Sequence, residues 1–199
     1  MMGRYTRMRS YRDEGVVRTD LPPHSSLETR FDTAFSAPDL FRFSFARPHP
    51  YPPLSHVISR CIVGSDGAQA YLWTRHADDV PKLWVDSDVS TVVAGATGIS
   101  SGAAHTIARL LLPRVGGWAL DQMRDLSVVG EVQIGGIACH KVAGSNPRGE
   151  PCEIVVEVES LLLRRLSHGP GQLTQEEERW AIRVDELLDA ESFAVPAVT

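Results

Sequence analysis

The chain has 199 residues, of which 43% are hydrophobic and 23% charged, and its formal net charge is −5. That length supports one domain over 1–199, able to bury a sizeable core without metal or disulfide staples. No Lys/Arg block suggests a nucleic-acid surface, and no apolar run approaches the roughly 18 residues of a membrane-spanning helix.

The N-terminus, MMGRYTRMRSYRDEGVV, has basic residues but no apolar stretch after them, so it does not read as a secretory signal. A cytosolic protein, a chain trimmed of its leader and a gene start placed too late all fit it. Three cysteines, Cys61, Cys139 and Cys152, give neither an even disulfide framework nor paired metal-ligand spacing. Residues 10–19, SYRDEGVVRT, are expected to form a first strand. DLPPHSS follows as a turn, because Pro22 and Pro23 cannot donate ladder hydrogen bonds.

Residues 27–36 then alternate, with Leu27, Thr29, Phe31, Thr33 and Phe35 on one face and Glu28, Arg30, Asp32 and Ala34 on the other. SAPD breaks the run, and Phe41, Phe43 and Phe45 resume it with Arg42 and Ser44 opposite. Two antiparallel strands joined by this short turn put five of the six phenylalanines on one side of a sheet. Such rings either fill an ordinary core or line a greasy concavity able to hold an acyl chain. Periodicity does not separate the two.

RPHPYPPLS, 47–55, reads as a surface loop. Segments 56–63 and 69–75 read as a hairpin turning at Asp66-Gly67. From Ser87 to Leu112 the spacing becomes helical, with Val89, Val92, Val93, Ile107, Leu110 and Leu111 as the apolar positions. Ser87 or Asp88 is placed to cap the first helix, and Ser100 or Ser101 the second. GATGISSG between them matches neither G-x-G-x-x-G nor a P-loop, so it reads as a small-residue turn rather than a nucleotide site. WALDQMR, 118–124, adds a helical turn.

Strand character returns near 126–134, 137–143, 152–159, 161–168 and 179–187, with turns at Gly135-Gly136 and GSNPRGE. Alternation places Ile154, Val156 and Val158 against Glu153, Glu157 and Glu159. It places Trp180, Ile182 and Val184 against Arg179, Arg183 and Asp185. One face is therefore expected apolar and one wet, with the two middle helices as the cover. Ile107, Leu110 and Leu111 should point to the phenylalanine stripe, and His105 and Arg109 away.

YRDEGVV, the F-x-T-x-F-x-x-P-x-x-F-R-F run, the hairpin ending in x-D-G, the two-helix middle, G-G-x-x-C and the pair ending LLLRRL resemble LolA/LolB-like proteins of the outer-membrane lipoprotein-sorting type, from about Tyr11 to Val195. The resemblance implies a mainly β fold with α: a strongly curved antiparallel sheet, an unclosed barrel, under a short helical lid. It also implies an extracytoplasmic setting and a hydrophobic cavity for a lipid or an acylated lipoprotein. Transient contact with membrane proteins is a further implication. Phe31, Phe35, Phe41, Phe43, Phe45, Ile107, Leu110 and Leu111 would line that cavity.

Chemistry-bearing clusters are sparse. His76, Asp78 and Asp79 in HADD read first as a charged loop. Cys139 and His140 are strand neighbours and so point to opposite faces. Ser100-Ser101 and Ser25-Ser26 lack the G-x-S-x-G elbow. EEER, 176–179, reads as a wet strand entry. No cofactor, metal or catalytic set is read. A lipid-binding protein, a protein-interaction or sensor module with a filled core, and an unrecognised hydrolase are the functional candidates. If the GSNPRGE loop centres on Asn146-Pro147, Cys139 and Cys152 become diagonal neighbours able to form a disulfide. A one-residue change would put them on opposite faces.

Overall fold

The computed structural model describes residues 1–21, 25–49, 51–169 and 174–198. Of the turn expected at 20–26, residues 22–24 lie outside the described residues. The alternating segments pair into a single antiparallel sheet that does not close into a barrel. A short helix, α1 (Met2–Tyr5), precedes β1 (Ser10–Leu21), β2 (Ser25–Ser36), β3 (Leu40–Pro48), β4 (Ile58–Asp66), β5 (Ala70–His76) and β6 (Lys82–Asp86). Helices α2 (Val89–Thr97) and α3 (Ala103–Leu111) and a 3-10 turn at Leu120–Gln122 form the middle. Then come β7 (Arg124–Ile134), β8 (Ile137–Ser145), β9 (Pro151–Glu157), β10 (Leu163–His168) and β11 (Gln175–Val184). The strand order is β6-β5-β4-β3-β2-β1-β11-β10-β9-β8-β7, so the chain runs outward from β1 to one edge and returns from the other.

β6 was not expected from the sequence. The five residues Lys82–Asp86, between Pro81 and the Ser87-Asp88 cap region, are too few to display a period. Pairing with β5, Leu72 opposite Trp84 and Trp73 opposite Leu83, makes it a strand.

α2 begins as expected, with the Asp88 carboxylate accepting from the Ser90 N–H at 2.9 Å. α3 differs slightly: Gly102, at φ 85°, is its cap residue, and the Ser100 hydroxyl accepts from the Ala104 N–H. α2 lies on β4, β5 and β6. Gly95 lets it approach, because a β-carbon there would meet the Trp84 ring at 3.1 Å. Val89, Val92, Val93 and Ala96 of α2, and Ile107, Leu110 and Leu111 of α3, join the phenylalanines in one core.

Three expectations about faces are corrected. Arg179 is fully buried, whereas Trp180 is 36% exposed. The β1–β11 register shifts between Arg12 and Glu14, and Ala181 opposite has φ 50°. This bulge reverses the alternation, so Glu177 and Arg179 face inward before it and Ile182 and Val184 pack against the core after it. EEER is accordingly no wet entry. Glu157 is also buried, paired with Arg164, where the chain turns tightly into β10.

The cysteine expectation fails on register. β8 and β9 do pair, but Cys139 lies opposite Glu157 and Cys152 opposite Gly144. Ser145 faces Pro151, so the loop centres on Arg148. The cysteines are thus five ladder positions apart, on opposite faces and roughly 17 Å apart along the strand. All three cysteines are free and buried.

Candidate functional site

Strand alternation sets out the helix-covered face in cross-strand rows. Phe31 opposes Phe45, Thr33 opposes Phe43 and Phe35 opposes Phe41. Continuing outward, one row reads Phe43–Val63–Leu72–Trp84 across β3 to β6. The next reads Phe45–Cys61–Thr74–Lys82, and the one after it Arg47–Ser59–His76. The face therefore grades from apolar through mixed to polar along the strands.

The five rings are all buried, with Phe31 stacked on Phe43 at 5.1 Å and Phe45 tilted against Phe43 at 5.8 Å. Ile107, Leu110 and Leu111 are buried in the same cluster. His105 and Arg109 turn away, bonding the Gly116 and Pro113 carbonyls. The structure thus brings all eight residues together, but their side chains fill the space between sheet and helices. Phe45 is the member that reaches the open cavity described next, and Phe31 and Phe45 both border a groove on the opposite face.

The open cavity lies at the polar end of the gradient and holds about 370 Å³. Phe45, Cys61 and Thr74 form its floor, and Ile99, in the α2–α3 turn, closes one side. Arg47, His49, His76 and Lys82 stand around it, with Asp79 as the carboxylate in its lining, while Arg60 and Arg75, paired in the row between, alternate to the other face of the sheet. Arg47 donates to the Ile99 carbonyl at 3.2 Å, tying sheet to helical turn. Its buried Nε has no hydrogen-bond partner, and it forms no ion pair among the described residues. Burial pushes the Arg47 guanidinium below its ordinary value and the Cys61 thiol up to about 11. That shift disfavours the thiolate, the nucleophilic form.

Ser59 Oγ and His76 Nδ1 are 2.7 Å apart. His76 is exposed and has no carboxylate partner among the described residues, so the pair lacks the third group that orients a catalytic base. Among the described residues, no cluster of three or more His, Cys, Asp or Glu side chains could hold a metal.

Deeper in the covered face sits a buried charged cluster. Arg179 donates to Asp13 at 2.5 Å and to Glu177 through Nε at 2.7 Å, and Tyr11 donates to Asp13 at 2.5 Å. Burial raises the Glu177 carboxyl, opposed by Arg179. Burial would lower the Arg179 guanidinium, but Asp13 and Glu177 more than offset it. These paired charges lock β1 and β11 together, and Asp13 Oδ1 is the one carboxylate oxygen of the cluster left buried without a hydrogen-bond partner among the described residues.

On the other face, a broad groove of about 900 Å³ runs over β1 to β5. Ala34, Ser44, Ala46 and Ile62 line it, with Arg12, Arg30, Arg42 and Arg60 interspersed with Glu14 and Asp32. The C-terminal segment packs beside it: Tyr71 donates to the Phe193 carbonyl and Arg42 to that of Ser192.

Sequence reasoning missed Arg47, Ser59, Cys61, Thr74 and Lys82. The signal was there in part, because Arg47 continues the parity of Phe41, Phe43 and Phe45. His76 and Asp79 were noticed, and both line the cavity.

Sheet, cover and cavity define an open, curved-sheet protein with one helix-covered face. No family model and no curated protein matches the chain. Lipoprotein LppX of Mycobacterium tuberculosis is similar in structure over 95% of this chain and 93% of its own, at 16% identity and a TM-score of 0.51. LprF of Mycobacterium bovis is similar over 98% and 93%, at 12% identity and a TM-score of 0.53. A LolA superfamily protein of Nitrosomonas europaea aligns over 98% and 96%, at 7% identity and a TM-score of 0.37. At these identities the likeness to LppX and LprF is one of fold, and the unclosed sheet with helices is the architecture the sequence resemblance implied. No helix of the described residues is long and apolar enough to cross a membrane.

Proposed function

We propose that this chain is a non-enzymatic binding protein that holds an acyl chain of a lipid or acylated protein between its sheet and helical cover. The carrying observation is the graded face, from Phe43–Val63–Leu72–Trp84 to Arg47–Ser59–His76, opening into a cavity of about 370 Å³. That volume falls within the roughly 300–1,000 Å³ of small-molecule sites. Each buried methylene contributes about 0.8 kcal/mol, so even part of one chain binds usefully. The space suits one chain, not the several of a fully acylated protein, unless α2 and α3 shift away from the phenylalanine stripe. An extracytoplasmic setting and a part in lipoprotein sorting rest on the family resemblance, and the shared fold supports them.

A second reading is favoured by one observation: Phe41 and Phe43 are wholly buried by neighbouring side chains. A filled core of this kind suits an interaction or envelope-sensor module with no lipid.

Titration with a fluorescent fatty-acid analogue separates the two. Saturable, one-to-one uptake is expected. Thr74→Trp, which fills the floor, should weaken it at least tenfold without changing the melting temperature. An equal affinity in this variant would move the site elsewhere.

A further inference from the structure

We infer that the cavity selects amphiphiles with an anionic head, phosphate or carboxylate, and that Arg47 is its principal recognition residue. This rests on the acyl-binding reading and specifies the ligand's other end.

The argument begins with charge. Two cationic side chains of the covered face, Arg47 and Lys82, border the cavity against the carboxylate of Asp79. The chain as a whole is acidic, at −5, so this basic rim runs against the composition. Elsewhere on the sheet the arginines are mostly neutralised: Arg18 faces Glu28, Glu176 and Glu178, Arg164 faces Glu157, and Arg165 faces Glu176 and Glu178. Arg47 and Lys82 at the cavity form no ion pair among the described residues.

Arg47 differs from Lys82 in its placement. It is half-buried, while Lys82 is exposed. It sits one row beyond Phe45, on the same face. One guanidinium nitrogen is used by the Ile99 carbonyl, and Nε is buried without a partner. An unpaired buried donor on a charged group is costly unless a ligand completes it. A guanidinium presents parallel N–H groups that match phosphate and carboxylate geometry. Lys82 lies in the row of Phe45, Cys61 and Thr74, at the far side of the same opening. A head group held there would lie between Arg47 and Lys82 while its chain ran over Phe45 and Cys61. The Ser59–His76 pair adds hydroxyl and imidazole donors to the same row as Arg47.

Calorimetry on the full chain, with dodecyl phosphate, 1-dodecanoylglycerol and inorganic phosphate as probes below micellar concentrations, tests the inference. Dodecyl phosphate should bind at least tenfold more tightly than the neutral ester, and inorganic phosphate at least a hundredfold more weakly than dodecyl phosphate. Arg47→Met should equalise the two amphiphiles while the neutral ester keeps its affinity. Lys82→Met, at an exposed position, should reduce the preference without affecting folding. Equal affinity of the two amphiphiles in the natural chain overturns the inference, as does a preference that survives both substitutions. Inorganic phosphate binding as tightly as dodecyl phosphate would make this a free-anion site and overturn it too. Absence of binding by either amphiphile is a separate result, which removes the acyl-binding reading itself.

Discussion

The Arg179 guanidinium lies 4.7 Å over the ring of Phe31, the first ring of the stripe, while donating to Asp13 and Glu177. A cation on an aromatic face, between two carboxylates, joins β11 and β1 to β2 at the centre of the sheet. Its Nη2 also donates to the Ala103 carbonyl, at the start of α3. Removing it would leave two buried carboxylates uncompensated. Arg179→Met should therefore cost about 3–5 kcal/mol in urea unfolding. Adding Asp13→Leu and Glu177→Leu should recover much of that loss. No recovery would mean that packing on Phe31, rather than charge pairing, is what Arg179 supplies.

Gly15 is required by the same arrangement. A β-carbon there would meet the Phe31 ring at 2.1 Å and the Glu178 carbonyl oxygen at 2.6 Å. The ring can move and the backbone cannot. Gly15→Ala should destabilise by about 1–3 kcal/mol, seen as a lower urea midpoint with an unchanged slope. An unchanged midpoint would contradict the close approach of β1, β2 and β11.

How much of this was legible in sequence depends on the element. The phenylalanine stripe was readable because its period of two is uninterrupted from Phe41 to Phe45, and the register Phe31↔Phe45 follows from a short turn. Asp88 was readable as a cap because its side chain acts within two residues. Arg179 was not: the bulge at Ala181 reverses the alternation, and its charge partner Asp13 is distant in sequence. The cysteine register failed because a loop centre displaced to Arg148 changes both distance and face. The cavity was only half visible. Its floor comes from the stripe, but its rim is assembled from β3, β4, β5, β6 and the α2–α3 turn, which only the three-dimensional pairing brings together.

Ile107 tests the cover. It is fully buried in the core beneath α3. Ile107→Asp should abolish the cooperative melt, because a buried, unpaired carboxylate exceeds the stability that one domain can spare. Ile107→Val should cost only about 0.5–1.5 kcal/mol. An aspartate variant that keeps both its melt and its fatty-acid uptake would take α3 out of the cover.

His168 gives the protein a pH-dependent component. Burial lowers its pKa below the ordinary 6.5, with Glu150 opposing, and the ring meets Trp118 edge-on at 6.2 Å. The unfolded chain therefore binds the proton more readily than the folded one. The His168 contribution is complete above about 6.5 and is lost as pH falls toward the folded value. Between pH 7 and 5 the natural chain should lose more melting temperature than His168→Gln. Parallel curves would contradict a folded state that excludes the proton.

The most direct test of acyl binding is native mass spectrometry of the protein purified gently, without detergent, from cells that express it. The account predicts a one-to-one complex carrying an acyl lipid, released by mild collisional activation and lost in Thr74→Trp. A protein that emerges at its bare mass, and takes up no added fatty acid or dodecyl phosphate while its fold is intact, would contradict it and leave the filled-core interaction module.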